Sequence, residues 1–163
     1  MDMEGVDMQQ LHKLQEQAEA EGKECVAGAI VLNGEGKIFV QKRSLQRRVF
    51  PGCWDLVGGH VEPGEQLYNA LSREIEEEAG WKLRRAIALV ATFDWEAADG
   101  RQRREFDFLV EVEGDLEHPR LEWSKNSEYR WISPTDLNLL KDNRTEYDLV
   151  VYEIVKKALA THA

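Results

Sequence analysis

The chain has 163 residues, 42% of them apolar, which suits one domain with an adequate core. Its formal net charge of −10 excludes a broad basic face, and with it an extended nucleic-acid footprint, while leaving a phosphate ligand compatible if bound cations supply positive charge. Two cysteines, Cys25 and Cys53, are too few for a disulfide framework, and no apolar run approaches a membrane span.

The acidic opening MDMEGVDMQQ lacks the apolar region of a signal peptide, so a cytoplasmic protein is expected, without membrane or nucleic-acid partners. Met8, Leu11, Leu14 and Ala18 recur at helical spacing, which predicts a thin amphipathic helix ended by Gly22. Residues 1–23 therefore read as a helical arm and 24–163 as the domain. The arm either packs on that domain or makes a homodimer contact.

Val26 to Leu32 is an apolar run fit for a buried strand, opened by Cys25 as a small hydrophobe. Asn33-Gly34-Glu35-Gly36 signals a hairpin into a partner strand over 38–43. A loop with Arg47, Arg48 and Pro51-Gly52 follows, then a short strand from Trp54 to Val57 and the pair Gly58-Gly59. Pro63-Gly64 predicts a turn that puts Glu65 in the first turn of a helix, which Gly80 closes. Alternation predicts a strand over 87–95, with Phe93 in the core, and another over 105–112 after the Asp99-Gly100 turn. Glu128 to Ile132 reads as a last strand, Ser133-Pro134 as a helix start, and 145–160 as a terminal amphipathic helix. Mixed strands with helices on both sides predict a three-layer α/β/α domain.

The chemistry concentrates between Gly59 and Trp81. Successive helical side chains turn by about 100°, so with Leu71 at zero, Ile75 lies near about +40°, Glu78 about −20°, Glu74 about −60° and Glu77 about −120°. Three carboxylates thus form a stripe overlapping the apolar one, whereas Ser72, Arg73 and Glu76 point elsewhere. A merely solvated helix places its acids opposite its leucines. Carboxylates converging at a core edge need a counter-charge, and hard divalent cations prefer such oxygen ligands.

Gly59, Glu65, Arg73, Glu74, Ile75, Glu77, Glu78, Gly80 and Trp81 stand at the spacing G-x5-E-x7-R-E-U-x-E-E-x-G-U, where U is bulky and apolar. The segment resembles the signature of the Nudix (MutT-like) hydrolases at every fixed position, and Phe50 to Glu65 resembles the family's approach to it. Glu128-Tyr129-Arg130-Trp131 is similar to its strand before the C-terminal helix. The resemblance implies the Nudix α/β/α sandwich and Mg²⁺- or Mn²⁺-dependent attack of water on a diphosphate linkage in a nucleoside diphosphate joined to another moiety.

Carried over by residue, the resemblance makes Glu77 and Glu78 principal metal ligands, Glu74 a ligand or base, and the Gly58 carbonyl a further ligand. It makes Glu65 and Arg73 a pair that holds the loop against the helix. On the substrate side the candidates are Arg43 for phosphate, Trp54 (with Phe93 and Trp95) for stacking on a base, and His60. Lys125 stands where many members carry a further glutamate, so it is either a solvated lysine or a point charge for a phosphate. A replacement carboxylate is then expected from Glu122 first, or from Glu128, Glu105 or Asp107.

Two alternatives accompany this reading. The Phe50-Pro51-Gly52-Cys53-Trp54 run also resembles isopentenyl-diphosphate isomerases, but Gly58 occupies the position of their cysteine. A non-catalytic nucleotide-sensing module of the same fold usually lacks a box carboxylate, and none is missing here.

Overall fold

The computed structural model describes residues 5–162. Residues 1–4 of the expected arm lie outside it. Asp7 opens helix α1 (Met8–Ala20): its carboxylate accepts from Gln10 N–H at 2.8 Å, and Gln10 Oε1 accepts from Asp7 N–H. Leu11 and Ala18 turn inward, and Gly22 leaves the helix at a φ of +76°.

Strand β1 (Glu24–Val31) is buried after its first residue, as a central strand of small and branched side chains should be. The Asn33 side chain accepts from the N–H groups of Glu35 and Lys37 and shapes the turn into β2 (Ile38–Arg43). Strands β3 (Trp54–Asp55) and β4 (Val57–His60) precede α2 (Leu67–Ala79), which Gly80 caps at a left-handed φ of +79°. The antiparallel strands β5 (Lys82–Glu96) and β6 (Gln102–Glu113) follow. Strand β7 (Asn126–Ile132), a 3₁₀ helix over Pro134–Lys141 with a Ser133–Asp136 capping box, and α3 (Val150–His162) complete the chain.

A four-stranded mixed sheet has the order β4-β1-β6-β5, with β1 parallel to β6 and antiparallel to β4. A three-stranded antiparallel sheet has the order β3-β2-β7. Leu11 and Ala18 of α1 and Leu67, Leu71 and Ile75 of α2 pack on the Ala27, Ala29, Phe106 and Phe108 face. Ile154, Val155 and Leu159 of α3 pack on the other face, with Ile30 and Leu109. This is the three-layer α/β/α arrangement, and each fully buried Leu or Ile contributes about 1.5–3 kcal/mol. The end of α2 is fixed by an aromatic group: Trp81 lies 4.9 Å from Phe39 and 5.6 Å from Trp131, centroid to centroid.

Five expectations are corrected. Residues 38–43 are not the hairpin partner of the first strand: β2 pairs with β3 and β7 in the smaller sheet, and only Leu32 and Ile38 bridge across the Asn33 turn. Helix α2 begins at Leu67, not before Glu65, because the Glu65 carboxylate is engaged by Arg73 and by Glu62 N–H and the chain is still turning there. Trp54 to Val57 is not one strand: Asp55 accepts from Leu56 N–H at 2.7 Å, and the chain passes there from the smaller sheet to the larger. Strict alternation in β5 fails because its pairing with β6 shifts at three places, leaving Ala86 and Val90 buried and Phe93 only half-buried. The terminal helix starts at Val150; before it Asn143 has a φ of +63° and the buried Arg144 donates to Trp54 O at 2.9 Å. No helix among the described residues is long and apolar enough to cross a membrane.

Candidate active site

Helix α2 carries its three carboxylates with graded burial. Glu78 is 8% exposed, the Glu74 side chain 12% and the Glu77 side chain 47%. That order follows their angular distance from Leu71 on the helix wheel.

Glu78 reaches the gap between the two sheets. Gln41 Nε2 of β2 donates to its Oε1 at 2.7 Å, and Gly58 N–H of β4 donates to its Oε2 at 3.1 Å. Burial pushes its pKa well above the ordinary carboxylate value, and the neighbouring Glu74 pushes in the same direction. Burial also raises Asp55, opposed mainly by Arg144.

Arg73 gathers the remaining groups. Its Nε and Nη2 donate to the two oxygens of Glu65 at 2.8 and 3.0 Å, a fork that pre-organises the loop before the helix. Its Nη1 donates to Glu74 Oε1 at 2.9 Å and Glu77 Oε2 at 3.2 Å, and Nη2 also reaches His60 O at 3.1 Å. The Glu65 carboxyl is held below its ordinary pKa by this guanidinium. Although Arg73 leaves the helix on another azimuth than the acids, its length brings the charge back to them.

The two glycines have different neighbours. A Cβ on Gly58 would stand 2.5 Å from Ala27 O, and one on Gly59 would stand 2.4 Å from Glu74 Oε1. Gly58 is thus required by the close approach of the β1 backbone, whereas a side chain at Gly59 would push the Glu74 carboxylate aside.

Glu65, Arg73, Glu74, Glu77, Glu78, Gly58 and the backbone of His60 therefore meet at one place. The other candidates do not join them. Trp54 is 3% exposed, with the Arg130 guanidinium over its ring, so it is a core side chain and cannot stack on a base. Arg43 gives its Nε to Val49 O at 2.9 Å, tying the loop 44–53. Lys125 pairs with Glu122 at 3.7 Å, and its carbonyl accepts from Ser44 N–H. The His60 ring turns to Arg103, and its pKa is lowered, first by burial and then by that guanidinium.

Gln41 escaped sequence reasoning, whereas Asp107 is among the carboxylates expected from the sequence. Gln41 is 1% exposed and orients Glu78; its one signal is a polar residue in phase with Phe39 in an apolar strand. Asp107 is 1% exposed beside Glu105 on β6, and its carboxyl is raised first by burial and then by Glu105. Its Oδ2 has no hydrogen-bond partner, and a Cβ on the adjacent Gly28 would overlap its Oδ1.

Among the described residues, no three His, Cys, Asp or Glu side chains already surround one point as metal ligands. Arg73 spans Glu74 and Glu77, while Glu78 is held by two donors. The donor set nevertheless fits a hard divalent cation: all oxygen, three carboxylates, and a buried member whose charged form lacks a counter-charge.

A family model of the NUDIX domain matches residues 23–153. The chain is 36% identical over 115 residues to the nucleoside triphosphatase NudI of Escherichia coli, covering 66% of this chain and 80% of that protein. It is 33% identical over 109 residues to the isopentenyl-diphosphate Delta-isomerase of Kocuria rhizophila, covering 66% of this chain but only 61% of that protein. Among solved structures, a MutT Nudix hydrolase from Burkholderia pseudomallei superposes with a TM-score of 0.63 at 31% identity, covering 82% of this chain and 98% of that one.

Proposed function

The chain belongs to the Nudix hydrolase family, and on that premise we propose that its α2 site hydrolyses a diphosphate linkage in a nucleoside polyphosphate or a related nucleotide derivative, with Mg²⁺ or Mn²⁺. The observation that carries this reading is the convergence of Glu74, Glu77 and Glu78 with Gly58, including a buried acid short of counter-charge.

In this reading Glu77, Glu78, Glu74 and the Gly58 carbonyl hold the cation. When bound, the cation neutralises phosphate oxygens and acidifies water at the site. Gln41 and Gly58 N–H hold Glu78 in one rotamer, leaving its carboxylate no freedom to turn away. Glu65 occupies two donors of Arg73, so that the guanidinium orients Glu74 and Glu77 through one nitrogen only. Glu74, nearly covered and beside Gly59, serves in this reading either as that ligand or as the base that takes a proton from the attacking water. The reaction needs no thiol from the protein.

The isomerase resemblance is answered by Gly58 standing in the cysteine position, and the sensing module by the complete set of carboxylates. The deciding experiment is a screen with Mg²⁺ and with Mn²⁺ over nucleoside triphosphates (canonical and oxidised), nucleotide sugars, dinucleoside polyphosphates, ADP-ribose and isopentenyl diphosphate. Metal-dependent cleavage of a nucleotide's diphosphate linkage is expected, read as phosphate or pyrophosphate from a triphosphate and as a nucleoside phosphate plus a phosphorylated partner from the other nucleotides. Allylic isomerisation without nucleotide hydrolysis, or binding without turnover, overturns the proposal.

A further inference from the structure

Helix α1 precedes the span matched by the family model, yet it reaches into the start of α2. The side chain of Gln15, 7% exposed, crosses from one helix to the other. Its Oε1 accepts from Leu67 N–H at 2.7 Å, and its Nε2 donates to Glu65 O at 2.8 Å. The first N–H groups of a helix have no partner within it and are usually satisfied by the N-cap side chain. Gln66, the N-cap residue of α2, makes no such bond, and the first turn contains no acid. Gln15 does the capping from 52 residues away.

The clamp closes on the two residues that flank Gln66, and one of them is Glu65. Glu65 takes two of the Arg73 donors, leaving Nη1 for Glu74 and Glu77. Should the segment 65–67 drift, those two donors become free, and the whole guanidinium can turn to Glu74 and Glu77. A cation would then have to displace a complete fork instead of one shared nitrogen. The arm is itself anchored by the buried Leu11 and Ala18 and by Val6 N–H to Ala86 O at 2.9 Å.

We propose that Gln15 is a positioning residue of the carboxylate site, acting through the Leu67 N–H and Glu65 carbonyl to set how Arg73 is divided between Glu65 and the acids of α2. The geometry is independent of the hydrolase reading; the consequence for cation binding rests on it.

The test compares Gln15→Met, which keeps length and removes both hydrogen bonds, with Gln15→Glu, which keeps the acceptor for Leu67 N–H but sets an oxygen against Glu65 O and Glu19 Oε2. Three quantities are followed: Mn²⁺ binding by calorimetry, the Arg73 Nε–H resonance by NMR, and kcat at saturating Mn²⁺. Gln15→Met is expected to weaken Mn²⁺ binding about fivefold, the size of a lost cap, to shift the Arg73 resonance, and to lower kcat at saturating Mn²⁺ by less than that factor. Gln15→Glu, with the Glu65 contact turned repulsive, is expected to move both signals in the same direction as the Met variant, and it decides the matter if the Met variant does not fold. A lower Tm with unchanged Mn²⁺ binding and Arg73 resonance in either variant overturns the proposal. If the wild-type protein neither binds Mn²⁺ nor hydrolyses nucleotides, the hydrolase reading fails, and the Arg73 resonance alone judges Gln15.

Discussion

Gln41 and Glu78, from a strand of the smaller sheet and from α2, share a buried hydrogen bond of 2.7 Å. Gln41 Oε1 has no partner, so this amide can present either end to its neighbour. Glu78→Gln is therefore accommodated by a flip of Gln41, with the new amide still accepting from Gly58 N–H.

It follows that Glu78→Gln lowers kcat at least roughly a hundredfold, by removing a charged ligand, without unfolding the protein. Glu77→Gln is expected to do the same to kcat. Only Glu78→Gln should raise Tm in metal-free buffer, because only Glu78 is buried with its charged form disfavoured. Steady-state kinetics at saturating Mg²⁺ with calorimetric Tm values checks both; near-normal turnover in the two variants removes the site.

Much of this site was legible because its parts are local. Gly59, Arg73 and Glu78 lie on one turn and helix, and the wheel alone ranks Glu78, Glu74 and Glu77 by burial. The Asn33 turn and the Ser133-Pro134 start were legible for the same reason, but the pairing of the strands flanking Asn33 in different sheets was not. Gln15 and Gln41 were not, since a glutamine shows no sign of a partner tens of residues away. Nor was the break at Asp55: a run of strand-forming residues does not say that its two ends pair in different sheets. Trp54 was misread because a tryptophan beside a conspicuous motif fits both a base-stacking wall and a core, and only packing distinguishes them.

Gly59→Ala should reduce kcat at least tenfold, since its Cβ would meet the Glu74 carboxylate at 2.4 Å and force that group aside, and small misplacements at a reacting centre are costly. Circular dichroism should remain native. Turnover within twofold of wild type would show that Glu74 does not act from its observed position.

Cys53→Ser should keep most of the hydrolytic activity. The thiol is fully buried, lies 3.3 Å from Asn143 O and touches none of the α2 carboxylates, and a hydroxyl can donate to the same carbonyl. Loss of activity in a folded variant would revive covalent chemistry.

The Glu105–Asp107 pair predicts a pH dependence. Asp107 is raised above its ordinary value of 3.8, so it stabilises the fold when protonated. That contribution is complete below the unfolded pKa and is lost as pH rises through neutrality toward the folded pKa, by at most about 1.4 kcal/mol per pH unit. Asp107→Asn removes the titration and adds a donor toward Glu105. The fall in Tm between pH 6 and pH 9 should be smaller in the variant, and an unchanged difference would show that the pair is not protonated in the fold.

The two thiols give the molecule a pair of internal clocks. Cys25 lies in β1 within the core that α1 helps to cover, its pKa pushed up to about 11 by burial, and Cys53 ends the loop over Asn143, likewise raised by burial. Neither presents a thiolate to solvent in the closed state, so an alkylating reagent reacts only as fast as each neighbourhood opens. Labelling at Cys53 times the excursions of the 44–53 loop. Labelling at Cys25 times the release of the arm and the sheet beneath it.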